Sequence, residues 1–273
     1  MLANGVGPMQ QRVTSRDNPR IAQARRLAQS SRDRRKLGRC VLEGEHLIRV
    51  HVDRVGPPET LIVVDWALDH PGIAALVRDV PAASVVQVPP TVFAEIAALP
   101  IDVGVLAVIE TPRGTATADR RFSLLLDDLQ DPGNVGTILR TAAAAGVDQV
   151  ILSRHCAFAW SPKVLRAAQG AHFLTTVAED VDLRAWVADF RAGGGRVMAL
   201  DAHAGASLFD AAITFPLALA IGNEGAGLST ALLDAADSRV TIPMPGGMES
   251  LNAGAASAVA LFECVRRGLQ EHR

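Results

Sequence analysis

Five times after residue 121 the sequence returns to a short run of almost purely apolar residues, in FSLLLDDL, VDQVILS, RVMALDA, FPLALAIGN and RVTIPM. A strand with one wet face alternates apolar and polar side chains, so runs this continuous belong to strands buried on both faces. Between them lie helical stretches, VGTILRTAAAAG, PKVLRAAQG and LRAWVADFRAGG, and a further helix is expected from Ser250 to the end. This alternation predicts an α/β domain, residues 122–273, with a parallel sheet covered by helices on both faces.

The preceding part follows a different pattern. Apolar strands at 60–64 and 85–88 alternate with helical stretches at 73–80 and 93–99, which predicts a smaller α/β domain over residues 12–110. Residues 111–121 hold Pro, Gly, Thr and charge with almost nothing apolar, the composition of a linker. Near the start, Ser15 or Asp17 is the expected cap of a basic helix in which Ile21, Ala24, Arg25 and Ala28 recur at helical spacing.

Charge is unevenly placed. Residues 1–50 carry eleven Lys/Arg against four Asp/Glu, a local excess of seven, so the total of −2 leaves −9 for the remainder. That asymmetry points the N-terminal domain at an anionic partner. Arg25, Arg26, Arg32, Arg34, Arg35, Lys36 and Arg39 are the candidate residues for that partner, suited to phosphates and to the shape of a nucleic acid rather than its base sequence. The chain has eight Phe, three Trp and no Tyr, too few for a base-stacking platform, so a structured nucleic acid is favoured over single strands.

Other classes are disfavoured. The longest charge-free window, residues 80–94, has only 15 residues and three prolines, so no transmembrane helix is expected. The opening MLANGVGPMQQ has no basic patch followed by an apolar run, and cytoplasmic localisation is expected. Cys40, Cys156 and Cys264 are too far apart for a zinc knuckle and are expected as buried thiols; no metal is expected. Asp127 and Asp128, at the end of a strand, are expected as a solvated pair.

Three segments carry candidate chemistry. In DPGNVGTILRTAAAAG, Asn134 is placed to cap a helix whose core stripe is Val135, Ile138, Leu139 and Ala142. Arg140 projects about 140° from Val135, off that stripe. In LALAIGNEGAGL a buried strand ends in glycines around one acid, Glu224, either a tight turn or a loop that approaches a ligand. In TIPMPGGMESLNAGAASAVALFE a strand ends at Pro243, and Ser250 opens a helix with the stripe Leu251, Ala255, Ala258, Phe262 and Val265.

Taken in this order and spacing, NxGxxxR at Asn134 to Arg140, IGNEGAGL at Ile221 to Leu228 and IPM…SLN at Ile242 to Asn252 resemble the signature of the SpoU-class (TrmH family) RNA ribose 2′-O-methyltransferases of the SPOUT superfamily. The resemblance covers about residues 120–273. VTSRDNPR and VLEGEHLI also look like the family's ribosomal-protein-like RNA-binding domain. It implies a trefoil-knotted C-terminal domain, a homodimer formed through it, and S-adenosyl-L-methionine as cofactor. Carried over by motif, Gly222, Ile242 and Leu251 would hold the cofactor with Leu200, Asn223 and Met244 nearby, and Asn134, Arg140, Glu224, Ser250 and Asn252 would line the reacting ribose. Where many members read SLNVS, Gly254 replaces the second serine, a change expected to touch helix packing more than catalysis.

The implied function is methyl transfer to a ribose 2′-hydroxyl. An arginine normally keeps its proton, so a clamp on the target phosphate or ribose is favoured for Arg140, with base action left open. The full N-terminal domain and the short stretch after the last helix tilt the substrate toward ribosomal over transfer RNA. A non-catalytic RNA-binding or assembly factor of the same fold is the rival, and the joint retention of Asn134, Arg140, Glu224, Ser250 and Asn252 argues against it.

Overall fold

The computed structural model describes residues 11–97 and 104–270. The start of the chain and the last part of the helical stretch expected at 93–99 lie outside the described residues. Two compact units are present: one is Met1–Pro112 with Trp160–Pro162, the other Arg113–Ala159 with Lys163–Arg273.

The first unit contains β1 (Gln11–Arg12), α1 (Pro19–Gln29), α2 (Ser31–Leu37), β2 (Arg39–Glu43), α3 (Glu45–Arg54), β3 (Thr60–Val64), α4 (Pro71–Asp79), β4 (Val85–Val88), α5 (Pro90–Ile96) and β5 (Val105–Glu110). Its mixed sheet runs β1-β4-β3-β5-β2, with β3 parallel to β4 and antiparallel to β5. The basic segment forms two helices where one was expected. Ser30 ends α1 in an extended conformation, and its side chain accepts from the Asp33 N–H to cap α2. The cap of α1 is Asn18, which accepts from the Arg20 N–H, ahead of a proline at the first helical position. Ser15 instead accepts from the Asp17 N–H outside the helix.

The second unit contains β6 (Phe122–Leu126), α6 (Pro132–Ala144), β7 (Gln149–Leu152), α7 (Pro162–Ala168), β8 (Thr176–Ala178), α8 (Leu183–Ala192), β9 (Arg196–Leu200), β10 (Ala206–Ser207), β11 (Leu217–Ile221), α9 (Thr230–Ala235), β12 (Ser238–Thr241) and α10 (Ala253–Gln270). Its seven strands run β10-β12-β9-β11-β6-β7-β8, and every pairing is parallel. Both faces are covered, as the continuous apolar runs require. Alternate residues Leu125, Ile151, Val197, Ala199, Ala218 and Ala220 pack with Trp186, Val187 and Phe190 of α8 and Leu232 of α9. The intervening residues Leu124, Leu126, Met198 and Leu219 are just as buried.

On the helix α6 the stripe Val135, Ile138, Leu139 and Ala142 is buried. Its cap is Asp131, not Asn134: the Asp131 carboxylate accepts from the Asn134 N–H at 2.7 Å. Gly136 lets α7 come close, since a Cβ there would lie 2.5 Å from that of Ala167. The last helix begins at Ala253 rather than Ser250, because Asn252 Oδ1 accepts from the Gly254 N–H at 2.9 Å and fixes the first turn. Its buried face is also not the expected one. Gly254, Ser257, Ala260, Leu261 and Cys264 face inward, whereas Leu251 and Phe262 are 39% and 49% exposed. Small residues face inward because α10 lies close against α6: a Cβ on Gly254 would be 3.2 Å from Thr137 Cγ2.

Candidate active site

Parallel pairing brings the carboxyl ends of β12, β9, β11 and β6 to one edge of the sheet. Leu200 pairs with Val240, and Ile221 with Leu126, so Leu200, Gly222 and Ile242 fall within about one residue of that edge on three neighbouring strands. Strands are about 4.8 Å apart, so these positions are close neighbours. In open α/β sheets this edge is where ligands bind.

The loop after β11 is built by glycine. A Cβ on Gly222 would lie 2.2 Å from the Gly227 carbonyl carbon, so only a bare backbone lets the chain fold back on itself. Asn223 and Gly227 exchange backbone hydrogen bonds of 2.9 and 3.0 Å, with Gly227 at φ 69°. Asn223 Oδ1 accepts from the N–H groups of Gly225 and Ala226, and its Nδ2 donates to the Asp128 carbonyl at 2.8 Å. Asn223, expected near the cofactor, therefore spends its side chain on shaping the loop.

Glu224 stands at the tip of this loop. Its Oε1 accepts from Asn134 Nδ2 at 2.9 Å and from the Asp131 N–H at 3.3 Å. Asn134 Oδ1 in turn accepts from Asn252 Nδ2 at 2.9 Å. The three segments singled out in the sequence thus meet through one chain of hydrogen bonds, Glu224 to Asn134 to Asn252. Burial alone would raise the Glu224 carboxyl, but the Asn134 amide and nearby backbone N–H groups outweigh it and hold its pKa below the ordinary value. Because Asp131 takes the capping role, both ends of the Asn134 amide are available for this relay.

Arg140 is exposed on α6, six residues along the helix from Asn134, and no hydrogen bond or ion pair engages its guanidinium among the described residues. Ser250 and Leu251 are exposed immediately before Asn252, and Met244 is half-buried after β12. Asp127 and Asp128 are not a solvated pair. Asp127 is buried and accepts from the Ser229 N–H at 2.8 Å, while Asp128 accepts from Ser153 Oγ at 3.0 Å. Asp131 was the other residue missed, although an Asp just before a helix-opening proline is a recognisable cap signal. Cys156 is half-buried rather than fully enclosed, and burial raises its thiol pKa first of all.

The basic run of the first unit divides. Arg34 is 4% exposed and donates to the carbonyls of Leu27 and Ala28, so it ties α2 to α1 and cannot present its charge to RNA. Arg25 pairs with Glu95, Arg26 with Asp33 and Arg39 with Glu59. Arg32, Arg35 and Lys36 are exposed along α2. No group of three or more metal-ligating side chains was found among the described residues, and no described helix is long and apolar enough to cross a membrane.

A parallel sheet with a glycine-built loop and a polar relay at its carboxyl edge, preceded by a separate α/β unit, defines a two-unit α/β protein with a candidate ligand site at that edge. The chain belongs to the SpoU rRNA Methylase family, whose description matches residues 121–262; an MRM3-like substrate binding domain matches residues 18–107. It is 31% identical over 262 residues to the 23S rRNA (guanosine(2553)-2′-O)-methyltransferase RlmP of Bacillus subtilis, covering 92% of this chain and 97% of that one. It is 30% identical over 275 residues to the 23S rRNA (uridine(2479)-2′-O)-methyltransferase of Streptomyces viridochromogenes, covering 95% and 93%. The crystal structure of the SpoU methyltransferase AviRb from Streptomyces viridochromogenes, in complex with AdoMet, superposes with a TM-score of 0.82 at 30% identity, covering 92% of this chain and 98% of that one.

Proposed function

We propose that this protein transfers a methyl group from S-adenosyl-L-methionine to a ribose 2′-hydroxyl of structured RNA, with ribosomal RNA as substrate. The observation that carries the reading is the Glu224–Asn134–Asn252 relay, which joins three distant segments at the carboxyl edge of the sheet.

The edge suits the cofactor. Leu200 and Ile242 offer apolar walls, Gly222 bare backbone between them, and Met244 and Leu251 further apolar surface, a combination fitted to the flat purine of the cofactor. The cofactor, when bound, supplies a methyl group already activated on a sulfonium. The protein's own part is to place the hydroxyl in line, at an exposed edge where its proton can pass to solvent water. In this reading Arg140 clamps the target phosphate or ribose with a two-point fork. Glu224 holds Asn134, and Asn134 holds Asn252, so that these amides and Ser250 orient the ribose without moving during transfer.

The domain limits 12–110 and 122–273, joined by 111–121, complete the proposal, with Arg32, Arg35 and Lys36 as the RNA-facing cations of the first domain. Insertion of β11 between β6 and β9, followed by β12 and α10, supports a trefoil-knotted thread. The exposed Phe262 on the outer face of α10, with Leu251 exposed just before the helix, supports a homodimer formed there. The expected place of work is the cytoplasm. The test is methyl transfer from labelled S-adenosylmethionine to total RNA, with ribosomal and transfer RNA separated and digested for 2′-O-methyl nucleosides. Label in ribosomal ribose is expected. Label in transfer RNA alone changes the substrate, and no label despite cofactor binding rejects the enzyme.

A further inference from the structure

Asp127 and Asp128 follow β6 directly, and neither enters the chemistry above, yet together they hold both ends of the loop that carries Glu224. At the far end Asp127 Oδ2 accepts from the Ser229 N–H at 2.8 Å, while its own N–H donates to the Ile221 carbonyl, just before the loop, at 2.9 Å. At the near end the Asp128 carbonyl accepts from Asn223 Nδ2 at 2.8 Å. That carbonyl is aimed by an uncommon backbone: Asp128 has φ 54°, the left-handed region that side chains other than glycine seldom occupy. Ser153, after β7, fixes this conformation from behind. Its Oγ accepts from the Asp128 N–H at 2.9 Å and donates to Asp128 Oδ1 at 3.0 Å.

Backbone strain of this kind persists only where neighbours over-determine it. Here each bond leads on to the next, from Ser153 to Asp128, to Asn223, to the N–H groups of Gly225 and Ala226 that follow Glu224.

We propose that Asp127, Asp128 and Ser153 are positioning residues for the 222–229 loop, setting the place of Gly222 against the cofactor and of Glu224 against Asn134. In this proposal the three act on the loop rather than on the substrate. The proposal rests on the transferase reading of that loop, and its test includes readouts that do not need turnover.

The experiment compares the full-length chain with Asp127→Ala, Asp128→Ala, Asp128→Asn and Ser153→Ala. Hydrogen exchange is followed at the amides of residues 223–229, S-adenosylmethionine affinity by calorimetry, and methyl transfer where the wild type shows it. Exchange should quicken in the loop, and not in β6 or β11, in all three alanine variants. Cofactor affinity should fall about tenfold in each, the scale of one lost hydrogen bond to a charged or strained group. Asp128→Asn keeps an acceptor for Ser153 and a side chain tolerant of the left-handed region, so it should stay within about twofold of wild type. Alanine variants with wild-type loop exchange and affinity overturn the proposal, as does Asp128→Asn failing as badly as alanine. Should an alanine variant not fold, the asparagine variant and Ser153→Ala decide the matter by the same readouts. A wild type that binds cofactor and orders the loop but methylates no RNA counts against the transferase reading and leaves the clamp standing.

Discussion

Asn134 and Glu224, 90 positions apart, are joined by an amide-to-carboxylate hydrogen bond of 2.9 Å. Loss of the amide in Asn134→Ala should let the Glu224 carboxyl rise toward its ordinary pKa of 4.5, because burial then meets less opposition. The sign for the wild type follows from a folded pKa below the unfolded one. The stabilising effect of this contact is present above about pH 4.5 and lost as pH falls through the lowered value. Carbon-13 NMR titration of Glu224 in the two proteins checks both statements. Methyl transfer should fall at least about tenfold in the variant, and an unmoved titration would remove Asn134 from the relay.

Arg140 is exposed on α6, six residues along the helix from Asn134, and no hydrogen bond or ion pair engages its guanidinium among the described residues. Arg140→Ala should lower turnover by at least about a hundredfold, the scale of losing one preorganised electrostatic contact, while S-adenosylmethionine affinity changes little. Arg140→Lys should recover little, since an ammonium cannot make the two-point contact. Methylation at the wild-type rate by the alanine variant rejects the assignment.

The basic run predicts two separate behaviours. Arg34→Ala should destabilise the first unit by about 1–3 kcal/mol, since the Leu27 and Ala28 carbonyls lose their buried donor. Arg32→Ala and Lys36→Ala should alter stability by less than about 0.5 kcal/mol and flatten the salt dependence of RNA binding by about one unit of slope each. Thermal unfolding and filter binding across salt concentrations separate the two effects; equal unfolding midpoints for all three variants would contradict the burial of Arg34.

Glycine is required at one site position and only convenient at another. Gly222→Ala puts a Cβ 2.2 Å from the Gly227 backbone, a clash that only a shift of the loop backbone relieves, so the loop should open and cofactor binding should disappear while the fold survives. Gly254→Ser places its Cβ 3.1 Å from Asn252 Oδ1 and 3.2 Å from Thr137 Cγ2, contacts that small side-chain shifts relieve. It should keep cofactor binding and lose at most about 1 kcal/mol of stability. Calorimetric titration with S-adenosylmethionine on both variants is the measurement.

Much of this protein is local in origin and therefore legible in one dimension. The continuous apolar runs demand a sheet covered on both faces, and the parallel β6–β12 sheet answers that demand. The α6 stripe and the exposure of Arg140 follow from helical spacing alone. Motif order also brought Asn134, Glu224 and Asn252 together as candidates before any fold was known.

Other features depend on partners that spacing does not reveal. Apolar character predicted that Leu251 and Phe262 face inward on α10, but close approach of α6 selects the small residues instead, because helix separation is set by the bulk at the contact. Asn134 looked like a cap until Asp131 took that bond. Arg34 looked like its exposed neighbours until the chain turned at Ser30 and folded it onto α1. The two aspartates looked solvated because their partners, Ser153 and Ser229, lie 25 and 102 positions away. Sequence periodicity records which residues share a face; the competition among distant donors, acceptors and volumes is resolved only when the sheet brings them into contact.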